Sequence, residues 1–125
     1  MNKKIIIISL ILILMITVYC FKRCKHISLL KHAKTTTAIV EYSGSGIKSV
    51  TLTVRYNFYV DKIEVIGQDG YDIGILNKNC LLGKTFNVVY DSTNPSNSQI
   101  LITREDYSRF NISQPDSFPC VYKCR

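Results

Sequence analysis

Two kinds of side chain are missing from long parts of this 125-residue sequence. No aspartate or glutamate occurs before residue 35, and residues 5–21 carry no charge of either sign. The only two histidines, His26 and His32, both precede residue 35. Because histidine is the commonest base beside a catalytic serine or cysteine, its absence from residues 35–125 argues against nucleophilic catalysis there.

Motifs for phosphates, metals and cofactors are also missing. Gly44 and Gly46 stand alone between strand-like segments and open no helix, unlike a phosphate-binding loop. Cys120 and Cys124 have no second close ligand pair, and both histidines lie in the basic segment before residue 35, which argues against a zinc site. The sequence therefore predicts no metal, no cofactor and no enzymatic activity.

The uncharged run at residues 5–21 is rich in isoleucine and leucine and is flanked by basic residues. As a helix it is about 26 Å long, close to the roughly 27–30 Å hydrocarbon core of a bilayer. It exceeds the apolar core of a signal peptide and ends in Tyr19, Cys20 and Phe21 rather than in small residues. The run predicts an uncleaved single-pass membrane anchor.

Two alternatives to an uncleaved anchor stay open. In a lipoprotein Cys20 would be acylated, although Tyr19 before it is a poor fit to the small residue that such processing favours. Cleavage as an ordinary signal peptide would instead give a mature chain that starts between residues 20 and 30. Cys20 and Cys24 could also be palmitoylated on a cytosolic side, but plain thiols are the favoured interpretation.

The net charge of +7 comes entirely from the first 34 residues. Those residues carry seven lysines or arginines and no acid, whereas residues 35–125 carry nine charges of each sign. Five of the basic residues directly follow the apolar run: Lys22, Arg23, Lys25, Lys31 and Lys34. Each is attracted to anionic head groups by about 1 kcal/mol. The basic residues therefore predict the lipid bilayer as a partner. No nucleic acid is needed to explain the net charge.

The orientation of the anchor is left open by the charge pattern. The basic excess after the run, taken literally, would keep the C-terminal part in the cytoplasm. That rule is reliable only for loops of up to about 60 residues, and residues 22–125 exceed that length. We expect the extracytoplasmic side, and the sequence sets neither the orientation nor the oligomeric state.

A change of composition near Thr35 separates an anchor and basic connector, residues 1–34, from a domain at residues 35–125. Residues 50–60 alternate strictly between apolar and polar, which predicts a strand with one buried face. Further strands are predicted at residues 35–42, 63–66, 71–76, 84–90 and 99–103. The segments between them are rich in turn-forming residues, notably at residues 43–46, 61–62, 68–70 and 91–98.

This strand pattern predicts an all-β fold, a small antiparallel barrel or sandwich of five to six strands after one transmembrane helix. One helical turn is expected at residues 104–110. Six carboxylates could in principle form an acid and base pair: Asp61, Glu64, Asp69, Asp72, Glu105 and Asp106. Because most of them adjoin turn residues, we expect them on the solvated surface.

Three cysteines of the domain, Cys80, Cys120 and Cys124, form an odd set. In an oxidising compartment Cys120 could pair with Cys124, or either of them with Cys80, and the sequence does not choose between these pairs. A thiol-redox or other enzymatic role for these cysteines is the alternative to a non-catalytic domain.

Residues 83–98 resemble the signature of a bacterial family of unknown function, the domain of unknown function number 3592. The shared pattern is a glycine, an alternating apolar strand, a tyrosine, a short spacer, Asn-Pro and a small residue. The matching positions are Gly83, Tyr90, Asn94, Pro95 and Ser98. Residues 55–60 also resemble the central strand of that family, so that the resemblance covers about residues 35–104.

The resemblance implies a membrane-tethered β domain with no assigned reaction. Family members often carry a second spanning helix after the β domain, which residues 105–125 do not contain. Together with the residues themselves, it predicts an interaction or accessory module of the bacterial envelope. Its expected partners are the bilayer and another envelope protein.

Overall fold

The structure, a computed structural model, describes residues 2–46, 50–72, 74 and 76–115. A long helix precedes a small β domain, as the sequence predicts. The elements are α1 (Lys3–Lys31), β1 (Ala33–Gly44), β2 (Thr51–Val60), β3 (Ile63–Asp72), α2 (Lys78–Leu81), β4 (Thr85–Asp91), β5 (Asn94–Leu101) and α3 (Arg104–Arg109).

Helix α1 contains no glycine or proline and runs without a break from the apolar run into the basic connector. The large apolar side chains of residues 5–21 are all exposed. Within the described part of the chain, α1 alone is long and apolar enough to cross a membrane. The helix therefore continues from the apolar run through the basic residues that follow it, as far as Lys31.

The five strands form one antiparallel sheet in the order β3-β2-β1-β4-β5. Three consecutive strands and a fourth that returns beside the first make a Greek key. The two outer strands, β3 and β5, approach each other and are joined by hydrogen bonds from Tyr71 Oη to the Ile100 carbonyl (2.9 Å) and from the Ile100 amide to Asp69 (2.8 Å). The sheet is thus nearly closed into a barrel.

The main core fills the inside of this barrel. Alternate residues of β2 point inward, and Leu52, Val54, Tyr56 and Phe58 are almost completely buried. The other strands contribute Val40, Phe86, Val88 and Ile100. A smaller cluster on the outside of β4 and β5 contains Leu29 of α1, Val89, Leu101 and Tyr107 of α3.

Two tight hairpins and the start of β1 lie at one end of the barrel, which we call the anchor end. The turn from β2 to β3 consists of Asp61 and Lys62, both with positive φ (50° and 66°), as a type I′ turn requires. The turn from β4 to β5 lies beside Ala33, the first residue of β1, which pairs with Asp91. The opposite end, where β2 begins, we call the far end.

Strand β3 corrects one prediction. The sequence places a turn at residues 68–70, whereas β3 continues through them and pairs with β2 along its whole length. Asp69 faces the barrel, and Gly67 and Gly70 leave room for the cross-strand side chains of Tyr56 and Thr51. The glycines therefore serve close packing here and not chain reversal.

Strand β5 corrects a second prediction. The loop expected at residues 91–98 is a turn of only two residues, and β5 already starts at Asn94. Between the pairs Asp91–Asn94 and Tyr90–Ser98 the register shifts, so that Pro95 lies in a bulge. A proline is tolerated there because it removes no regular ladder hydrogen bond. The short helix α2 was not predicted, whereas α3 lies within the predicted helical turn.

Candidate functional site

The junction between α1 and the barrel is held by a buried carboxylate, Asp91 at the end of β4. Ser28 of α1 donates to one of its oxygens (2.5 Å), and the amide and hydroxyl of Thr93 donate to the other (2.9 and 2.6 Å). These hydrogen bonds hold the pKa of Asp91 far below its usual range. The ionised carboxylate thus ties the helix to the β4–β5 turn.

Further contacts join the last turns of α1 to the barrel. Asn97 Nδ2 donates to the carbonyl of Lys25 (2.8 Å), and the Ser92 amide donates to the carbonyl of His32 (3.0 Å). Leu29 is 5% exposed and packs in the outer cluster. The connector is therefore part of the folded domain and not a loose tether.

A second group of polar side chains lies between β3 and β5, and we call it the polar cluster. It consists of Tyr56, Asp69, Tyr71, Ser98 and Asp106. Asp69 accepts from Tyr56 Oη (3.0 Å) and from the Ile100 amide (2.8 Å), and Tyr56 Oη also lies 3.0 Å from Ser98 Oγ. Its hydrogen bonds join β3 to β5, where a fully closed barrel would have backbone pairing between the two strands.

Asp106 completes the cluster from the first turn of α3. One of its oxygens accepts from the amides of Ile102 (3.1 Å) and Thr103 (3.0 Å), and it lies 2.9 Å from Tyr71 Oη, whose single proton is shared with the Ile100 carbonyl. Thr103 in turn accepts from the Asp106 amide, which forms a capping box. This one carboxylate therefore fixes the start of α3 against both β3 and β5.

Burial controls the ionisation of the cluster. It raises the pKa of Asp69 to about 6, although the hydrogen bonds from Ile100 and Tyr56 act in the opposite direction. Burial and the neighbouring carboxylates raise the pKa values of Tyr56 and Tyr71 well above their usual range. Both phenols therefore stay protonated, whereas Asp69 changes charge near pH 6.

A cavity of about 320 Å³ adjoins the polar cluster. It is lined mainly by polar residues of β3, β5 and α3: Asp69, Gly70, Tyr71, Asp72, Gln99, Thr103, Glu105, Asp106 and Arg109. Among the described residues, no three histidine, cysteine or acidic side chains are placed to hold a metal ion.

The residues of the family resemblance lie in different parts of the barrel. Gly83 has a φ of 73° in the turn before β4, and its amide donates to the Val40 carbonyl (2.9 Å). Tyr90 packs its ring 5.7 Å from that of Phe58. Asn94 and Pro95 begin β5, and Ser98 alone belongs to the polar cluster.

The cysteines are not brought together in the described part of the chain. Cys20 and Cys24 are exposed on α1, Cys80 is half-buried in α2, and none of the three is bonded to another described cysteine. Cys120 and Cys124 lie outside the described residues. The three disulfide pairs considered from the sequence stay predictions.

The surface placement expected for the carboxylates is wrong for two of the six. Asp61, Glu64, Asp72 and Glu105 are exposed, but Asp106 is only 4% exposed and Asp69 is half-buried. One signal in the sequence points to the cluster: Tyr56 lies on the inward face of the alternating strand, and a buried tyrosine hydroxyl needs a polar partner. The sequence does not identify that partner, because residues 68–70, which include Asp69, predict a turn and not a strand.

No family model matches the chain, and neither the curated proteins nor the solved structures contain a match. The resemblance to family 3592 therefore stays a prediction.

Proposed function

We propose that the chain is a single-pass membrane protein that displays its β-barrel at the surface of the bacterial envelope as an interaction module. One observation carries this proposal: α1 exposes its whole apolar run, while its last turns are bonded into the barrel. A helix so apolar is favoured in lipid. The bonds at Ser28 and Lys25 then hold the barrel at the membrane surface.

The arrangement of the buried carboxylates supports a binding role rather than catalysis. Asp69 and Asp106 accept hydrogen bonds from tyrosine hydroxyls and backbone amides that close the barrel and start α3. Carboxylates engaged in this way stabilise the fold. We therefore assign the polar cluster a structural role and assign partner binding to the exposed surface of the barrel.

Alkaline carbonate extraction of membranes tests the anchor. The native chain should stay in the membrane pellet, and so should Ile27→Lys, which changes an exposed residue outside the apolar run. Leu12→Lys combined with Leu14→Lys should move the protein to the supernatant, because each lysine at the centre of a span costs about 3 kcal/mol. Native protein in the supernatant would contradict the anchor.

We place the barrel on the extracytoplasmic side. Val50→Cys provides a test, because Val50 is 77% exposed at the far end. A membrane-impermeant maleimide should label this variant on intact cells more strongly than the parent chain, which controls for the native thiols. Extra labelling that appears only after permeabilisation would place the barrel in the cytoplasm.

Photo-crosslinking in cells tests the interaction role. A photoreactive residue at Val50 or at Gln68, both exposed, should give a discrete adduct with another envelope protein. The same residue at Leu52, inside the core, is the matched control and should give none. Absence of adducts from a set of exposed positions covering every strand would count against an interaction module. Turnover of a small substrate that is lost in Asp69→Asn would favour an enzyme instead.

A further inference from the structure

The anchor end of the barrel carries an exposed apolar surface. Ile63, at the tip of the β2–β3 hairpin, is 68% exposed, and Tyr59 and Ile66 beside it are 62% and 58% exposed. A groove of about 540 Å³ lies between this hairpin and the β4–β5 turn, and its lining combines apolar residues such as Ile63 and Pro95 with the carboxylates of Asp61 and Glu64. Exposed apolar surface of this kind marks a contact with lipid or with another molecule.

The length of α1 brings this end of the barrel close to the bilayer. Asn97, at the anchor end, already bonds to Lys25, four residues after Phe21 closes the apolar run. Four helical residues rise about 6 Å. The head-group region extends about 5–7 Å beyond each side of the hydrocarbon core. With the helix upright, Asn97 therefore lies at the level of the head-group layer.

Charge and aromatic side chains match the same layer. The five basic residues of the connector occur with no acid between residues 1 and 34. Lys25 lies over the ring of Phe21 (4.9 Å to the centroid), and Arg23 donates to Tyr19 Oη (3.0 Å). Aromatic and basic residues in these positions are typical of a membrane interface.

We propose that the anchor end is a membrane-contacting surface, with the β2–β3 hairpin tip resting in the head-group layer of the bilayer that α1 crosses. This inference rests on the proposed anchor. It goes further because it assigns a face of the barrel to lipid and leaves the far end for a protein partner. The barrel would then have one fixed orientation relative to the membrane.

Single tryptophans can test the contact, because the chain has none of its own. The full-length protein would be placed in vesicles of phosphatidylcholine and phosphatidylglycerol whose acyl chains are brominated near the head group. Ile63→Trp reports on the hairpin tip, and Val50→Trp, also at a highly exposed site, is the matched far-end control. Leu14→Trp reports on the span, in vesicles brominated deeper in the chain. Unchanged thermal unfolding would confirm that each variant is folded.

The inference expects quenching of Leu14→Trp and Ile63→Trp, with no quenching of Val50→Trp. Quenching of Leu14→Trp alone would overturn the membrane contact and leave the anchor intact. Equal quenching at Ile63→Trp and Val50→Trp would also overturn it, because the barrel would then have no preferred end toward lipid. If Leu14→Trp is not quenched, the anchor itself fails and the inference fails with it.

Discussion

At the scale of single residues, Asp69 makes the stability of the barrel depend on pH. Its pKa is raised to about 6 in the folded chain, against about 3.9 in an unfolded one. The folded state therefore holds a proton that the unfolded state releases, and the free energy of unfolding falls as the pH rises from about 4 to about 6. The loss is on the order of 3 kcal/mol.

Asp69→Asn should remove this dependence. The difference in free energy of unfolding between the variant and the native chain should favour the variant more at about pH 7.5 than at about pH 4.5. Asparagine stays neutral at both pH values, whereas Asp69 is ionised at the higher one. Thermal unfolding of the detergent-solubilised protein measures the difference. Asp72→Asn changes an exposed carboxylate on the same strand, and its effect on stability should not depend on pH in this way. A pH-independent effect of Asp69→Asn would contradict the assignment.

Gly67 is required for packing and not for backbone conformation. A Cβ at this position would overlap the ring of Tyr56, its cross-strand partner. We expect Gly67→Ala to lower the free energy of unfolding by roughly 1–3 kcal/mol, measured by denaturant titration. Gly70→Ala should cost less, because its Cβ would meet only the methyl end of Thr51, at 2.9 Å. Equal losses would show that the ring has room to move.

The sequence predicts the structural role of a residue well where that role depends only on its neighbours in the chain. Asp61 and Lys62 form the hairpin turn expected of them. Asp69 and Asp106 lie 37 positions apart and become neighbours only because β3 and β5 meet at the barrel closure. Burial that depends on such a long-range contact leaves no periodic pattern in the sequence.

At the scale of elements, the start of α3 depends on two capping residues of unequal importance. Thr103→Ala removes one hydroxyl acceptor and should cost about 1 kcal/mol. Asp106→Ala leaves the hydroxyl of Tyr71 and the amides of Ile102 and Thr103 without this acceptor. We expect a loss of about 2–6 kcal/mol, since the two amides become unpaired at about 1–3 kcal/mol each, whereas the Tyr71 hydroxyl keeps the Ile100 carbonyl.

Denaturant unfolding of these variants beside Glu105→Ala checks this order. Glu105 is exposed in the same turn of α3 and should contribute only a few tenths of a kcal/mol. If Thr103→Ala proves more damaging than Asp106→Ala, the carboxylate does not hold β3, β5 and α3 together.

The elements differ in how far the sequence predicts them, and packing explains why. Strand β2 has one face in the core and one outside, so its alternation is complete. In β3 two glycines make room for neighbouring side chains, and in β5 a proline occupies a bulge. Glycine and proline are also the strongest turn formers. A prediction from neighbouring residues alone therefore places turns where the strands continue.

At the scale of the whole molecule, the connector stabilises the domain that it joins to the apolar part of α1. A fragment starting at Lys25 keeps Leu29 in the outer cluster and Ser28 on Asp91. A fragment starting at Ala33 loses both. We expect the shorter fragment to unfold on the order of 10 °C lower in a thermal melt followed by circular dichroism.

Leu29→Ala in the longer fragment separates the apolar contact from the hydrogen bond. Its melting temperature should fall between those of the two fragments, since the bond from Ser28 to Asp91 is kept. Identical melting of the two fragments would mean that the domain is complete without the connector.

Helix α1 runs without a break from the apolar run to the barrel. It therefore also sets the rotational orientation of the barrel about the helix axis. With no glycine or proline to act as a swivel, the helix transmits any rotation about its axis to the barrel. One residue inserted after Phe21 would turn the barrel by about 100° and lift it by about 1.5 Å. For the proposed membrane anchor, the number of residues between the apolar run and the barrel therefore decides which side of the barrel a neighbouring protein in the membrane contacts.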